Sequence, residues 1–387
     1  MSKVLVIAQG GGPTAVINQT VAGVVIAARQ RHPGARVFGA RHGVRGIRDG
    51  SLIDLSDVSE ADLRRIANTP NAALGSTRDK PDEAYCGRIL ERLQAMGADA
   101  LIYIGGNDTA GTLQILDAAG DGKIAFIHAP KTIDNDLVEN DHTPGFISAA
   151  FFVASAFQSM DLDFRALPGI YVGIVMGRHA GFLTAAAAAW RRSESEGPHL
   201  IYVPEHPFSM ERFLADVAAT RAKYGRCVVA MSEGVTTADG RPLVESLVGA
   251  ALERDAHGNV QLSTSDLGLA IQSALTAAFP KVRARVDTFG YLPRAFGGTV
   301  SELDRRDAYG AGVFAVTAAE NGSASIAIGS EHGPSAIRAV PLAAVAGKTR
   351  LMPASFLMPS RSQLSDVGFA YFARLLPPAP DIHAPFL

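Results

Sequence analysis

The stretch Ile124-Ala-Phe-Ile-His-Ala-Pro-Lys-Thr-Ile-Asp-Asn-Asp-Leu137 sets an apolar run against a dense polar one. Ile124–Ala129 has the length and apolar content of a strand buried on both faces. Lys131, Thr132, Asp134 and Asp136 then crowd together directly behind it. Turn chemistry is one account of such residues, since Asp and Asn fold turns and cap helices. The other is a site at the carboxyl end of a core strand, and the rest of the chain has to choose between them.

Similar apolar runs cover Lys3–Ala8, Ala100–Ile104, Ile170–Met176, His199–Val203, Cys227–Met231 and Ser323–Ile328. Helical periodicity occupies Val16–Gln30, Glu83–Met96 and Met210–Tyr224 between them. Strands alternating with helices of roughly 10–15 residues predict an α/β fold with mainly parallel sheets flanked by helices. The chain has 387 residues, and single cores rarely grow past roughly 250–300 residues, so two lobes are expected. Asn140, Asp141 and Pro144 break the pattern and place the boundary near Leu137–Pro144. Leu376–Asp381 reads as an irregular tail.

A hydrophobic content of 47%, a charged content of 19% and a net charge of −2 describe an ordinary globular chain. Without a Lys/Arg block, a nucleic-acid partner has no electrostatic basis. Cys86 and Cys227 lie far apart and form no C-x-x-C pair, which argues against a disulfide framework or thiolate zinc site and suits a reducing cytoplasm. The N-terminal apolar run is too short for a signal-peptide core. No apolar segment approaches the roughly 20 residues of a membrane span, so no membrane role is expected.

In α/β folds ligands sit beyond the carboxyl ends of the strands, and four such junctions carry unusual residues. In Gln9-Gly-Gly-Gly-Pro-Thr-Ala-Val-Ile-Asn18, three glycines expose backbone N–H groups in front of a helix, a plausible phosphate cradle. A tight turn without ligand is the competing account, and the G-x-G-x-x-G spacing of a dinucleotide site is missing. Ile104-Gly-Gly-Asn-Asp-Thr109 opens a helix expected over Ala110–Leu116, with Asp108 or Thr109 suited to cap it. The third junction is the opening stretch. The fourth, Met176-Gly-Arg-His-Ala-Gly181, holds an arginine in a glycine-flanked turn. Together with Arg78 these supply Gly-rich cradles, cations and carboxylates, the parts that phosphoryl transfer uses. Val345-Ala-Gly-Lys-Thr349 resembles the end of a P-loop, but Leu342 replaces its first glycine and the segment is expected to be a surface turn.

"PKTIDND", "GGND", "MGRHAG" and the later "GYLPRAFGG…DR" resemble, in order and spacing, the signature set of the phosphofructokinases, from Gly10 to about Asp304. The resemblance implies two α/β lobes with an active site between them, a Mg²⁺-bound phosphoryl donor, and fructose 6-phosphate as acceptor. It implies a donor-binding lobe over 1–142, joined by part of 260–310, and a sugar-phosphate lobe over 143–387. By the same resemblance Asp134 is the general base on the sugar 1-hydroxyl, a role in which a carboxylate sharpens a weak nucleophile. Lys131 and Arg178 join it as catalytic residues. Gly11, Gly12, Arg78, Gly106, Asp108, Thr109 and Lys131 fall to the donor. Thr132, Asp136, Met176, Gly177, Arg178, Glu233, Arg285, Tyr291 and Arg294 fall with Asp134 to the sugar phosphate. Taken singly, Arg285 and Arg294 read more readily as surface charge. Asp108, Asp136 and Asn107 are the implied metal ligands. Sites completed across subunits imply a homodimer or homotetramer.

ATP-using members of this family resemble Gly-Gly-Asp-Gly-Ser and Pro-Gly-Thr-Ile-Asp-Asn-Asp at these junctions. Here Asp108 and Lys131 stand at the two positions that distinguish the pyrophosphate users. Asp108 fills the space of a nucleotide α-phosphate with bulk and like charge, costing on the order of 1–4 kcal/mol at about 4 Å. Lys131 adds a cation for a compact, highly anionic donor. Both changes favour pyrophosphate. The chain departs from the family at Asn107, where an aspartate is usual, at Ala15 and Val16 in the Gly-rich loop, and at Gly169, where an arginine from a neighbouring subunit is usual; Arg165 is a possible substitute. The alternatives are an ATP-dependent enzyme, a kinase that also takes sedoheptulose 7-phosphate, a non-catalytic sugar-phosphate sensor, and a nicotinamide oxidoreductase, the last opposed by the missing dinucleotide spacing.

Overall fold

The computed structural model describes residues 3–248, 264–330, 333–358, 360 and 363–382. The chain divides into two compact units, Met1–Ala149 with Arg294–Arg350, and Ala150–Pro293 with Leu351–Leu387.

The first unit is built on strands β1 (Val4–Gln9), β2 (Arg36–Ala40), β3 (Leu52–Asp54), β4 (Ala100–Gly105), β5 (Ala125–Pro130), β10 (Ala324–Ser330) and β11 (Gly333–Val340). They form one sheet in the order β11-β10-β5-β4-β1-β2-β3. Every interior pairing is parallel, and β3 and β11 close the two edges antiparallel. Alternation explains the burial on both faces. Leu5, Ile7, Ile102 and Ile104 pack on one side with Val21, Val24 and Val25 of helix Ile17–Arg31 and Ala311, Ala315 and Val316 of helix Glu302–Ala319. Val6, Ala8, Leu101 and Tyr103 pack on the other with Ile89 and Leu93 of helix Glu83–Ala95.

The second unit holds β6 (Ile170–Val175), β7 (Leu200–Tyr202), β8 (Cys227–Ser232) and β9 (Ala284–Thr288), an all-parallel sheet in the order β7-β8-β6-β9. Ile170, Val172, Ile174, Val229 and Met231 form its core with Phe213 and Val217 of helix Met210–Tyr224 and Leu267, Ile271 and Leu275 of helix Thr264–Ala278.

The expected strands and helices all form. Strands β2, β3, β9 and β11 do so without an uninterrupted apolar run, since Arg36, Asp54, Arg285, Asp287 and Arg338 punctuate them. The division of the chain differs from the expected one. Residues 294–350 do not stay with 150–293, because helix Glu302–Ala319 buries its apolar face on helix Ile17–Arg31 and β10 pairs with β5. The break falls inside helix Phe146–Ala166, beyond Leu137–Pro144. Val345–Thr349 leaves a short helix, not a strand, and Gly347–Thr349 is exposed, as expected for a surface turn. Among the described residues, no helix is long and apolar enough to cross a membrane.

Candidate active site

In the first unit three strand ends are stitched together. Gly10 N–H donates to Ile104 O at 2.8 Å, and Lys131 N–H to Gly105 O at 2.9 Å. The Gly-rich loop is tied to a second loop by Gly11 N–H donating to Thr77 O at 2.9 Å and Ser76 Oγ donating to Gly11 O at 2.5 Å. Gly11 has φ +75°, a conformation that a side chain opposes, and a Cβ there would stand 3.0 Å from Lys131 Nζ. A Cβ on Gly12 would stand 2.9 Å from the Arg294 guanidinium. Lys131 is only 5% exposed, and its ammonium donates to Gly12 O at 2.9 Å. Two cations thus converge on a loop stripped of side chains.

The loop after Thr77 holds Arg78 exposed and then turns back. Asp79 anchors it, accepting from Arg45 Nε at 3.1 Å and Tyr85 Oη at 2.8 Å. The hydrogen bond from Arg45 pulls the Asp79 pKa well below the usual carboxylate range, against the opposing effect of burial. Next in line is Lys80, whose Nζ lies 3.6 Å from Asp108 Oδ2. Lys80 had no separate signal in the sequence; its place beside Arg78 is the only hint.

Asp108 and Thr109 do not cap their helix. It begins at Asn107, with Gly106 in the cap position and no side-chain cap, so Asp108 lies in the first turn. There its charge complements the positive end of the helix dipole. Asp108 is exposed, Thr109 buried. Asn107 Nδ2 donates to Asp136 Oδ2 at 3.3 Å, while Asn107 Oδ1 is buried and accepts no hydrogen bond. A buried bare acceptor beside a carboxylate fits a hard cation, which takes oxygen ligands and retains donor phosphates as others.

The opening stretch forms a compact loop. Thr132 N–H donates to Pro144 O at 3.2 Å, Thr143 Oγ1 to Thr132 O at 2.9 Å, and Asp134 N–H to Thr132 Oγ1 at 3.1 Å. Asn135 takes φ +60°, which turns the chain between the two half-buried aspartates. Under this loop His128 is fully buried, its Nε2 2.9 Å from Gly105 O and its Nδ1 2.8 Å from Ser325 Oγ. A carbonyl only accepts, so Nε2 carries the proton and Ser325 donates to Nδ1. Burial holds the His128 pKa down at about 4.

In the second unit, β6 is followed by Met176-Gly177-Arg178. Met176 is buried, whereas Arg178 is exposed with φ +48°. Glu233, 9% exposed, follows β8, and its N–H donates to Val175 O at 2.8 Å. Glu205, which the sequence did not single out, braces this turn by accepting from Gly181 N–H and Met352 N–H, each at 2.8 Å. Burial raises its pKa. Arg285 lies exposed on the edge strand β9, with Nε 3.3 Å from Asp287 Oδ1. Tyr291 is 64% exposed. These two belong to the second unit and Arg294 to the first.

The phosphofructokinase family model matches residues 4–319. Over 380 residues the chain is 47% identical to the pyrophosphate–fructose 6-phosphate 1-phosphotransferase of Rhodospirillum rubrum, covering 96% of this chain and 94% of that one. It is 36% identical over 390 residues to the protein of the same name from Xanthomonas campestris, with 96% and 91% covered. The crystal structure of the pyrophosphate-dependent phosphofructokinase from Nitrosospira multiformis superimposes with a TM-score of 0.84 at 30% identity, over 100% of this chain and 96% of that one. With its strand-end loops, its paired sheets and these relatives in agreement, this chain belongs to the phosphofructokinase family.

Proposed function

We propose that this enzyme transfers a phosphoryl group reversibly between pyrophosphate and the 1-hydroxyl of fructose 6-phosphate, forming fructose 1,6-bisphosphate and orthophosphate. The observation that carries this reading is the presence of Asp108 and of a buried Lys131 at the two positions that distinguish pyrophosphate users, in a chain 47% identical to a protein named for that reaction. Lys131, Arg78, the Gly11–Gly12 backbone, Gly106 and Thr109 serve the diphosphate. Asp108 occupies the place where a nucleotide would continue.

Asp134 takes the proton of the sugar hydroxyl as its oxygen bonds to phosphorus, and the bond to the departing phosphate breaks on the opposite side. Thr132, Met176, Gly177, Arg178 and Glu233 orient the sugar. Arg285, Tyr291 and Arg294 hold its 6-phosphate, a task suited to the guanidinium fork. Asn107 and Asp136, with Asp108, are the residues that would hold Mg²⁺. When bound, the ion neutralises charge on the donor. A coupled assay with purified protein, fructose 6-phosphate and Mg²⁺, run with pyrophosphate or ATP, tests the donor. Faster turnover with ATP would overturn it.

A further inference from the structure

We propose that His142 is a positioning residue for the catalytic loop: a buried imidazolium, clamped between Asp141 and Asp307, that sets the placement of Asp134 and Asp136. The inference rests on the reading of Asp134 as the base. His142 is fully buried, with Nδ1 3.0 Å from Asp141 Oδ2 and Nε2 2.8 Å from Asp307 Oδ2. A neutral imidazole has one donor and one acceptor, and an acceptor nitrogen facing a carboxylate oxygen is repulsive. Both ring nitrogens therefore carry protons. Burial works against that charge, but the hydrogen bonds to Asp141 and Asp307 outweigh it and raise the His142 pKa.

The clamp is coupled to the loop by short steps. Asp307 lies on helix Glu302–Ala319, 2% exposed. From the same helix Asp304 accepts from Gly145 N–H at 2.8 Å, Ser148 N–H at 3.0 Å and Ser148 Oγ at 2.5 Å. Two buried aspartates of one helix thus seat the segment 141–148. That segment carries Thr143 and Pro144, which hold Thr132, whose hydroxyl in turn accepts from Asp134 N–H. Arg350 binds both arms, its N–H donating to Asp136 O at 2.8 Å and its Nη1 to Asp141 O at 2.7 Å.

The charged groups around His142 are Asp141 on its own segment, Asp304 and Asp307 on the helix, and the Arg350 guanidinium at the Asp141 carbonyl. Arg306 approaches Asp307 at 3.8 Å. Loss of the ring proton leaves one carboxylate facing a lone pair. The segment then shifts and the base moves out of line.

The test compares wild type, His142→Gln, Asp307→Asn and Asp134→Asn in the full chain with pyrophosphate, fructose 6-phosphate and Mg²⁺ from pH 6 to 10. Wild-type kcat is expected to fall along an alkaline limb. Asp307→Asn moves that limb down by about one pH unit or more, since an adjacent opposite charge shifts a pKa by about 1–3 units. His142→Gln removes the limb and lowers kcat roughly 10- to 100-fold, the scale of a misplaced catalytic group. If His142→Gln fails to fold, Asp307→Asn alone decides. No alkaline limb in wild type, or an unmoved limb in folded Asp307→Asn, overturns the inference. Asp134→Asn separates the two claims. If it is inactive while both other variants match wild type, His142 loses its role and Asp134 keeps its own. If it is fully active, the reading of Asp134 as the base falls instead.

Discussion

Lys80 Nζ stands 3.6 Å from Asp108 Oδ2, joining the loop after Thr77 to the first turn of helix Asn107–Ala119. The two side chains are 44% and 65% exposed, so the pair contributes at most about 1 kcal/mol to stability. Its importance is the local field. Under the proposed reading, Asp108 alone would repel any phosphate donor, whereas Asp108 screened by Lys80 would oppose a nucleoside by bulk and spare a bare diphosphate. Lys80→Ala is expected to raise KM for pyrophosphate about fivefold, the equivalent of about 1 kcal/mol. Steady-state kinetics with an unchanged KM would remove Lys80 from the donor site.

Donor choice should yield to a paired change. Asp108→Gly with Lys131→Gly opens the space beside Gly106 and removes the cation held at Gly12 O. Turnover with ATP is expected to rise and turnover with pyrophosphate to fall, as read by parallel assays of the two donors. No gain with ATP would count against the steric and charge account.

Asp134→Asn retains shape and loses basicity. It is expected to lower kcat by roughly 10²–10⁴-fold, the usual contribution of a general base. Thermal unfolding of the variant should stay near wild type, which distinguishes lost chemistry from lost structure.

Asp304 is wholly buried and accepts from Gly145 N–H, Ser148 N–H and Ser148 Oγ at the start of helix Phe146–Ala166. Burial raises its pKa despite those donors. Asp304→Ala strands buried donors at about 1–3 kcal/mol each, and urea unfolding should show a loss of about 3 kcal/mol or more. Asp304→Asn, which keeps an acceptor, is expected to lose less.

Stability should also fall in mild acid. Burial depresses His128 and His199 to about 4, from an ordinary 6.5. Both groups bind protons more readily unfolded than folded. Their contribution is therefore complete above about pH 6.5 and is lost as pH falls toward 4. Each unit of depression is worth about 1.4 kcal/mol. His142 acts with the opposite sign: its raised pKa gives stability at acid pH that is lost as pH rises through the folded value. Denaturation midpoints between pH 4 and 7 check the trend, and His199→Gln is expected to flatten the slope.

The polar clusters at strand ends were legible because they are local. An apolar run, a glycine loop and a helix signal lie within about twenty residues, and strand-end placement follows from hydrophobic periodicity alone. That is why the stretch from Ile124 to Leu137, "GGND" and "MGRHAG" marked strand-end loops in both units. The helix start at Asn107 was misjudged because Gly106 caps it through its backbone, while Asp108 and Thr109 carry the side chains usually found at caps. The edge strands β3, β9 and β11 went unseen because an edge tolerates charge, and charge masks the pattern.

Pairing between distant segments was another matter. His142 meets Asp307 across 165 residues, and Asp304 reaches Gly145 across 159. Nothing in either local pattern names its partner. Helix Glu302–Ala319 had to pack on helix Ile17–Arg31, and β10 had to join β5, before those aspartates faced the loop. Composition and periodicity state which residues must be buried; close packing of the folded chain chooses which buried charges meet, since each must find a partner or leave water uncompensated.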